Sequence, residues 1–135
     1  ISGFYANNAS NLTSWVGDMP NLKTTFDGSV GLFENIFSLT TFIGDLSSLE
    51  YGTGMFNNTQ LSVESVEIIA DTLPEITNSA TITIVFKTPP SSTTELTAYM
   101  TAMTPIVDKG WKLDTNTQIA NLFDTSKYTI NGVYV

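Results

Sequence analysis

Between Leu32 and Leu61 the chain states a pattern, completes it and begins it again. Leu32-Phe33 returns as Met55-Phe56, and Asn35 returns as Asn58, both 23 residues later. The middle of the unit has an earlier copy. Leu39-Thr40-Thr41-Phe42-Ile43-Gly44-Asp45-Leu46 matches Leu12-Thr13-Ser14-Trp15-Val16-Gly17-Asp18-Met19, at a spacing of 27, and Leu49 then matches Leu22. Phe4-Tyr5 and Asn7 head that earlier copy. Four extra residues lie between Leu22 and Phe33, around Asp27-Gly28, in the kind of Gly/Asp-rich loop that tolerates insertion. Self-similarity at a short period marks a repeat architecture.

The apolar positions are too sparse for a helix of this length. A unit of this size holds one short strand, a return segment and two corners. Leu12, Trp15 and Met19 point inward, as do Leu39, Phe42 and Leu46. No unit buries that side alone, so the units stack and their strands become parallel neighbours. Gly-Asp suits the corner where the strand ends, because Gly tolerates unusual dihedrals and Asp accepts from nearby amides. Asn7, Asn35 and Asn58 suit the opposite corner.

The wording LTTFIGDLSSLEYGTGMFNNTQL resembles the degenerate leucine-rich repeats of BspA-like surface proteins, whose units have a Leu-Thr-Ser-aromatic strand and an apolar-Phe pair before an Asn or Cys turn. The resemblance covers residues 4–61, and 62–115 more weakly. It implies an α/β fold: a short right-handed leucine-rich-repeat solenoid with a parallel sheet and an α/β C-terminal cap, used for adhesion or protein binding. It supplies no catalytic residues. The chain departs from the family in having few units, an irregular first period and no Cys at the turn.

The expected organisation follows. Residues 1–61 are the repeats, with Ile1, Phe4 and Tyr5 capping the open end. Residues 62–115 read helix, strand, helix, strand. Ser62 caps a helix that ends near Leu73, ahead of Pro74. Ala80 to Phe86 alternates and is β-branched, the strongest strand signal in the chain. Ser92 to Glu95 is a capping box. Pro105 is expected to kink or end the helix that follows, and Lys109-Gly110 to stop it. Trp111 to Asp114 is a strand, and Gly110-Trp111 also resembles the close of BspA-like segments. The simplest assembly continues the repeat sheet through both later strands. Residues 116–135 form an extension, with a short helix from Gln118 to Phe123 and strand material around an Asn131-Gly132 turn. An apolar edge there invites pairing, so contact with a neighbour or a further domain is favoured over an edge strand on the same sheet.

Composition narrows function. At 135 residues and 41% hydrophobic, the chain fits one domain with a core. Only 13% is charged, so Ser, Thr and Asn must cover the surface, as in extracellular, cell-surface or virion proteins. The net charge is −8 and all five cationic residues are Lys, which disfavours nucleic acid and anionic membrane. No apolar run is long enough to insert in a membrane. A chain that starts at Ile1 reads as a cleaved or excised piece. Asn8, Asn11 and Asn57 head glycosylation-acceptor triplets, a pattern short enough to recur by chance in an Asn/Thr-rich chain.

With no His, Cys or Arg, the chain lacks a serine triad, a thiol nucleophile and a His- or Cys-ligated zinc site. No phosphate loop or cofactor motif is present. Asp18 and Asp45 are the obvious carboxylate pair, but they stack on one corner rather than flank a cleft, so the expectation is no enzyme, no metal and no cofactor. The candidate site is instead the open face of the sheet: Ser14, Val16, Thr41, Ile43, Thr83, Val85 and Lys112. Two functions fit. One is a binding or adhesion module that takes a protein or glycan partner. The other is a phage virion component, in the tail or as capsid decoration, forming a homo-oligomer or larger assembly through 116–135.

Overall fold

A computed structural model describes residues 11–23, 26–27 and 30–134. The expected roles of Ile1, Phe4, Tyr5, Asn7 and the sequon Asn8 lie outside these residues. The fold is α/β with parallel sheets. The first sheet pairs β1 (Ser14–Val16) with β4 (Thr41–Ile43), in parallel and in the register of the repeat: Ser14 with Thr41, Trp15 with Phe42, Val16 with Ile43. Within the longer first unit, β2 (Phe26–Asp27) and β3 (Val30–Gly31) pair as a small antiparallel ribbon.

The 27-residue offset recurs as hydrogen bonds between units. Thr40 and Thr41 amides donate to the Thr13 carbonyl, Met19 N–H to the Asp45 carbonyl, and the Glu50 amide to the Lys23 carbonyl. At the Gly-Asp corner the Asp45 amide donates to Asp18 Oδ1 at 3.1 Å. A Cβ on Gly44 would sit 2.4 Å from the Gly17 carbonyl oxygen, so close stacking there requires glycine. At the other corner Asn35 and Asn58 both take the left-handed conformation, φ 62° and 59°, and Asn58 Nδ2 donates to Asn35 Oδ1 at 3.0 Å. Asn reaches that region with less strain than most residues because its short polar side chain bonds locally.

The second sheet is four-stranded and wholly parallel, in the order β5 (Gly52–Thr59), β6 (Thr81–Phe86), β7 (Lys112–Asn116), β8 (Ile130–Val133). Its β5 edge is bonded to the 33–35 stretch, through Phe33 N–H to the Met55 carbonyl and Asn35 N–H to the Asn57 carbonyl. The connections are α1 (Val63–Thr72), α2 (Thr93–Asp108) and the short α3 (Thr117–Ala120).

The local signals operate as expected. Ser62 Oγ accepts the Ser65 amide, and Ser92 Oγ accepts the Glu95 amide. Gly110, at φ +100°, follows the C-cap of α2 at Lys109. Pro105 does not end α2, which runs on to Asp108. The carbonyl that Pro105 leaves without its helical donor is that of Thr101, and both residues lie on the exposed side of the helix.

One apolar cluster extends from Met19 to Phe123, so the two sheets and the helices share a core. At its centre Phe33 and Phe56, the residues 23 apart, stack with centroids at 5.5 Å. Phe42 meets both edge-on, and Trp15 meets Phe33. Such ring pairs add about 0.5–1.5 kcal/mol each beyond the area they bury.

Two expectations are corrected. First, β6 and β7 do not continue the β1–β4 sheet. The place beside β4 is taken by α1, so the later strands add to β5 instead. Second, the C-terminal stretch belongs to the same fold. β8 pairs with β7, Ile119 and Phe123 are buried, and Tyr128 Oη donates to Asp108 Oδ1 at 2.6 Å. Asn131-Gly132 is not a turn. Gly132 lies within β8 opposite Thr115, and a Cβ there would come 3.0 Å from Thr117 Oγ1.

Candidate functional site

The seven residues singled out from sequence fall on two surfaces. Ser14, Val16, Thr41 and Ile43 are together on the first sheet. They alternate with Trp15 and Phe42, which turn into the core, so their side chains face outward. Val16 is 71% exposed and its register partner Ile43 is 45% exposed. Ser14 is exposed beside them and Thr41 half-buried. The result is a pair of branched apolar side chains next to a pair of hydroxyls.

Thr83, Val85 and Lys112 are on the second sheet. Thr83 and Val85 are only 6% and 1% exposed, and Lys112 is half-buried opposite Thr81. They therefore do not extend the first surface. Sequence alternation puts them on the opposite side of their strands from Ile82, Ile84 and Leu113, but the expected exposure is not found for Thr83 and Val85, since alternation does not say which sheet a strand joins or what covers its face.

Thr83 takes part in a row that sequence reading missed. Gly54 N–H donates to Thr83 Oγ1 at 2.9 Å, Thr83 Oγ1 donates to Asp114 Oδ2 at 3.3 Å, and Asn131 Nδ2 donates to Asp114 Oδ1 at 2.7 Å. The row crosses all four strands. Its polar atoms are spent on one another, which suits holding register more than meeting a ligand. At the end of β7 the Asn116 side chain does the same work. Its Oδ1 accepts the Phe86 amide and its Nδ2 donates to the Phe86 carbonyl. The one sequence signal for the row is the period-two recurrence of Thr and Asp opposite apolar positions.

Asp18 and Asp45 occupy one corner and accept backbone amides: Asp18 from Asp45, and Asp45 from Ser47. Asn57, from a sequon, is a half-buried sheet residue whose Nδ2 lies 3.4 Å from Glu34 Oε2. Titration is perturbed elsewhere. Burial pushes the Tyr99 phenol up, with help from the Glu95 and Glu64 charges. Ser126 hydroxyl and amide donors hold Asp124 low, and Tyr128 raises Lys127. Among the described residues no group of three or more His, Cys, Asp or Glu is arranged to hold a metal, and no helix is long and apolar enough to cross a membrane.

Comparison of the chain with protein-family models, with curated proteins and with solved structures finds no match.

Proposed function

We propose that this chain is a non-catalytic binding or adhesion module of a surface-exposed or secreted protein. On this reading it is a short leucine-rich-repeat solenoid of the BspA-like kind, and it takes a protein or glycan partner on the β1–β4 face. The observation that carries the reading is the exposure of Val16 and Ile43 side by side on an outward sheet face. Full burial of each such side chain against a partner is worth about 1.5–3 kcal/mol. Ser14 and Thr41 supply hydroxyls for orientation. The experiment compares wild type with Val16→Glu/Ile43→Glu on immobilised matrix proteins and on a glycan array. The variant should lose about tenfold or more in affinity with an unchanged unfolding midpoint. Equal binding by both would remove this face from the proposal.

A second reading, a phage virion component assembled through 116–135, is supported by one observation. β8 is the last strand of its sheet, and no strand among the described residues covers its outer edge. Light scattering tests it. A stable oligomer that Tyr134→Lys dissociates, at a position 85% exposed, favours assembly, and a monomer at every concentration rejects it.

A further inference from the structure

The helices α1 and α2 pack side by side, and the seam between them is open to solvent as a groove of about 370 Å³. Ala70 and Ala102 make its floor. Thr101 and Pro105 form one wall, while Glu67 and Asp71 form the other. Beyond that acidic wall lies a second, shallower hollow of about 460 Å³, where Glu64 and Ile68 join Glu67 and Asp71. Glu64, Glu67 and Asp71 follow one another along the same side of α1, a ridge on the order of 10 Å long with a hollow on either flank.

Among the described residues none of the three ridge carboxylates is held in an ion pair. Among the described residues the one ion pair is Lys23 with Glu50, far along the chain from α1. Lys109 lines the groove, but its Nζ donates to the carbonyls of Ala70, Asp71 and Leu73 at 2.6, 3.0 and 2.8 Å, so its donors are spent on the end of α1. No Lys occurs between Lys23 and Lys87. Like charges three and four residues apart on a helix repel, and a cationic partner would relieve that repulsion.

We infer that this groove is a docking site for a basic amphipathic segment of a partner protein. The floor of small residues admits apolar side chains from the partner, and Glu64, Glu67 and Asp71 pair with its Lys or Arg. An elongated partner fits better than a small molecule, because the acidic ridge serves two hollows along one helix. The site lies on other elements than the β1–β4 face and stands independently of it.

The test is an amide NMR titration of the full chain. The probe is a synthetic amphipathic Leu/Lys helix of about 14 residues, and the control is the same peptide with Glu for Lys. The Leu/Lys peptide should shift the amides of Ala70, Asp71, Thr101 and Ala102, and the Leu/Glu peptide should not. Thr101→Trp, at an exposed position, fills the groove and should weaken binding about tenfold or more. Glu67→Gln/Asp71→Asn should weaken it similarly, whereas Val16→Glu/Ile43→Glu should leave it unchanged. Absence of shifts at millimolar peptide overturns the proposal. So does a diffuse response spread over Asp45, Asp114 and Asp124 that Thr101→Trp leaves intact, because that is general attraction to an acidic protein.

Discussion

The Ser65 hydroxyl bonds the backbone of β4 around Phe42 as a third strand would: Oγ accepts the Phe42 amide at 2.9 Å and donates to the Thr40 carbonyl at 3.1 Å. Two turns further along α1, Thr72 Oγ1 repeats the arrangement with the Leu46 amide at 3.3 Å and the Gly44 carbonyl at 3.5 Å. A helix has no free backbone groups along its side, so it can cover a strand edge only through side chains of this kind. Two hydroxyls on one helix face thereby cover the β4 edge of the sheet.

Removing the first hydroxyl should be costly. Ser65→Ala leaves a buried amide without its acceptor and is expected to destabilise by about 2 kcal/mol. Thr72→Ala, with longer bonds at a half-buried site, should cost about half as much. Urea unfolding of both variants checks this. Equal stability of Ser65→Ala and wild type would mean that water closes the edge.

Asn58 combines a left-handed backbone with the amide bond to Asn35. Asn58→Ala keeps the Cβ on a left-handed backbone but loses the bond and the local polar contacts that ease it, a cost of about 1–2 kcal/mol. Asn58→Gly loses the bond but also sheds the Cβ penalty, so it should be more stable than Ala. Thermal melts rank the three, and an Ala variant as stable as Gly would contradict the strained corner.

Tyr99 Oη donates to the Leu61 carbonyl at 2.6 Å, and burial raises its pKa above the ordinary 10.0. The folded state thus favours the neutral phenol. Its contribution is complete below the unfolded value and is lost as pH rises through the raised folded value. Tyr99→Phe should cost about 1 kcal/mol at neutral pH, with the gap to wild type closing above about pH 10. Unfolding midpoints measured across that range decide it. A constant gap argues against the shift.

Lys109→Met removes three charge-assisted bonds from the carbonyl end of α1. The expected loss is about 2 kcal/mol, since cations at a helix C-terminus also favour the dipole. Hydrogen exchange should quicken at Ile69 to Leu73 more than in α2. Uniform exchange along both helices would place the effect elsewhere.

Much of the local structure was legible in the residues. Ser62 and Ser92 cap helices because a hydroxyl before an amphipathic run has orphan amides to satisfy. The 27- and 23-residue spacings announce the Asp18–Asp45 corner and the Asn35–Asn58 corner, because each repeated polar residue bonds its copy or the backbone beside it. Outward display of Ser14, Val16 and Ile43 follows from the strand period. By contrast, β5 was hidden. Its sequence, GTGMFNNT, is poor in strand formers, and it is extended because the 33–35 stretch and β6 bond it from both sides.

The amino-acid sequence by itself determined the repeat, the caps and the alternation of each strand, since those depend on neighbours within a turn or a unit. Only the tertiary structure decided that Thr83 and Val85 lie on a different sheet from Val16 and Ile43, and that β8 closes onto its own chain. The physical reason is that a strand's pattern specifies its two faces, whereas its edges are backbone, the same for every sequence. Which edge is filled depends on what else reaches it, and beside β4 that was the Ser65 hydroxyl.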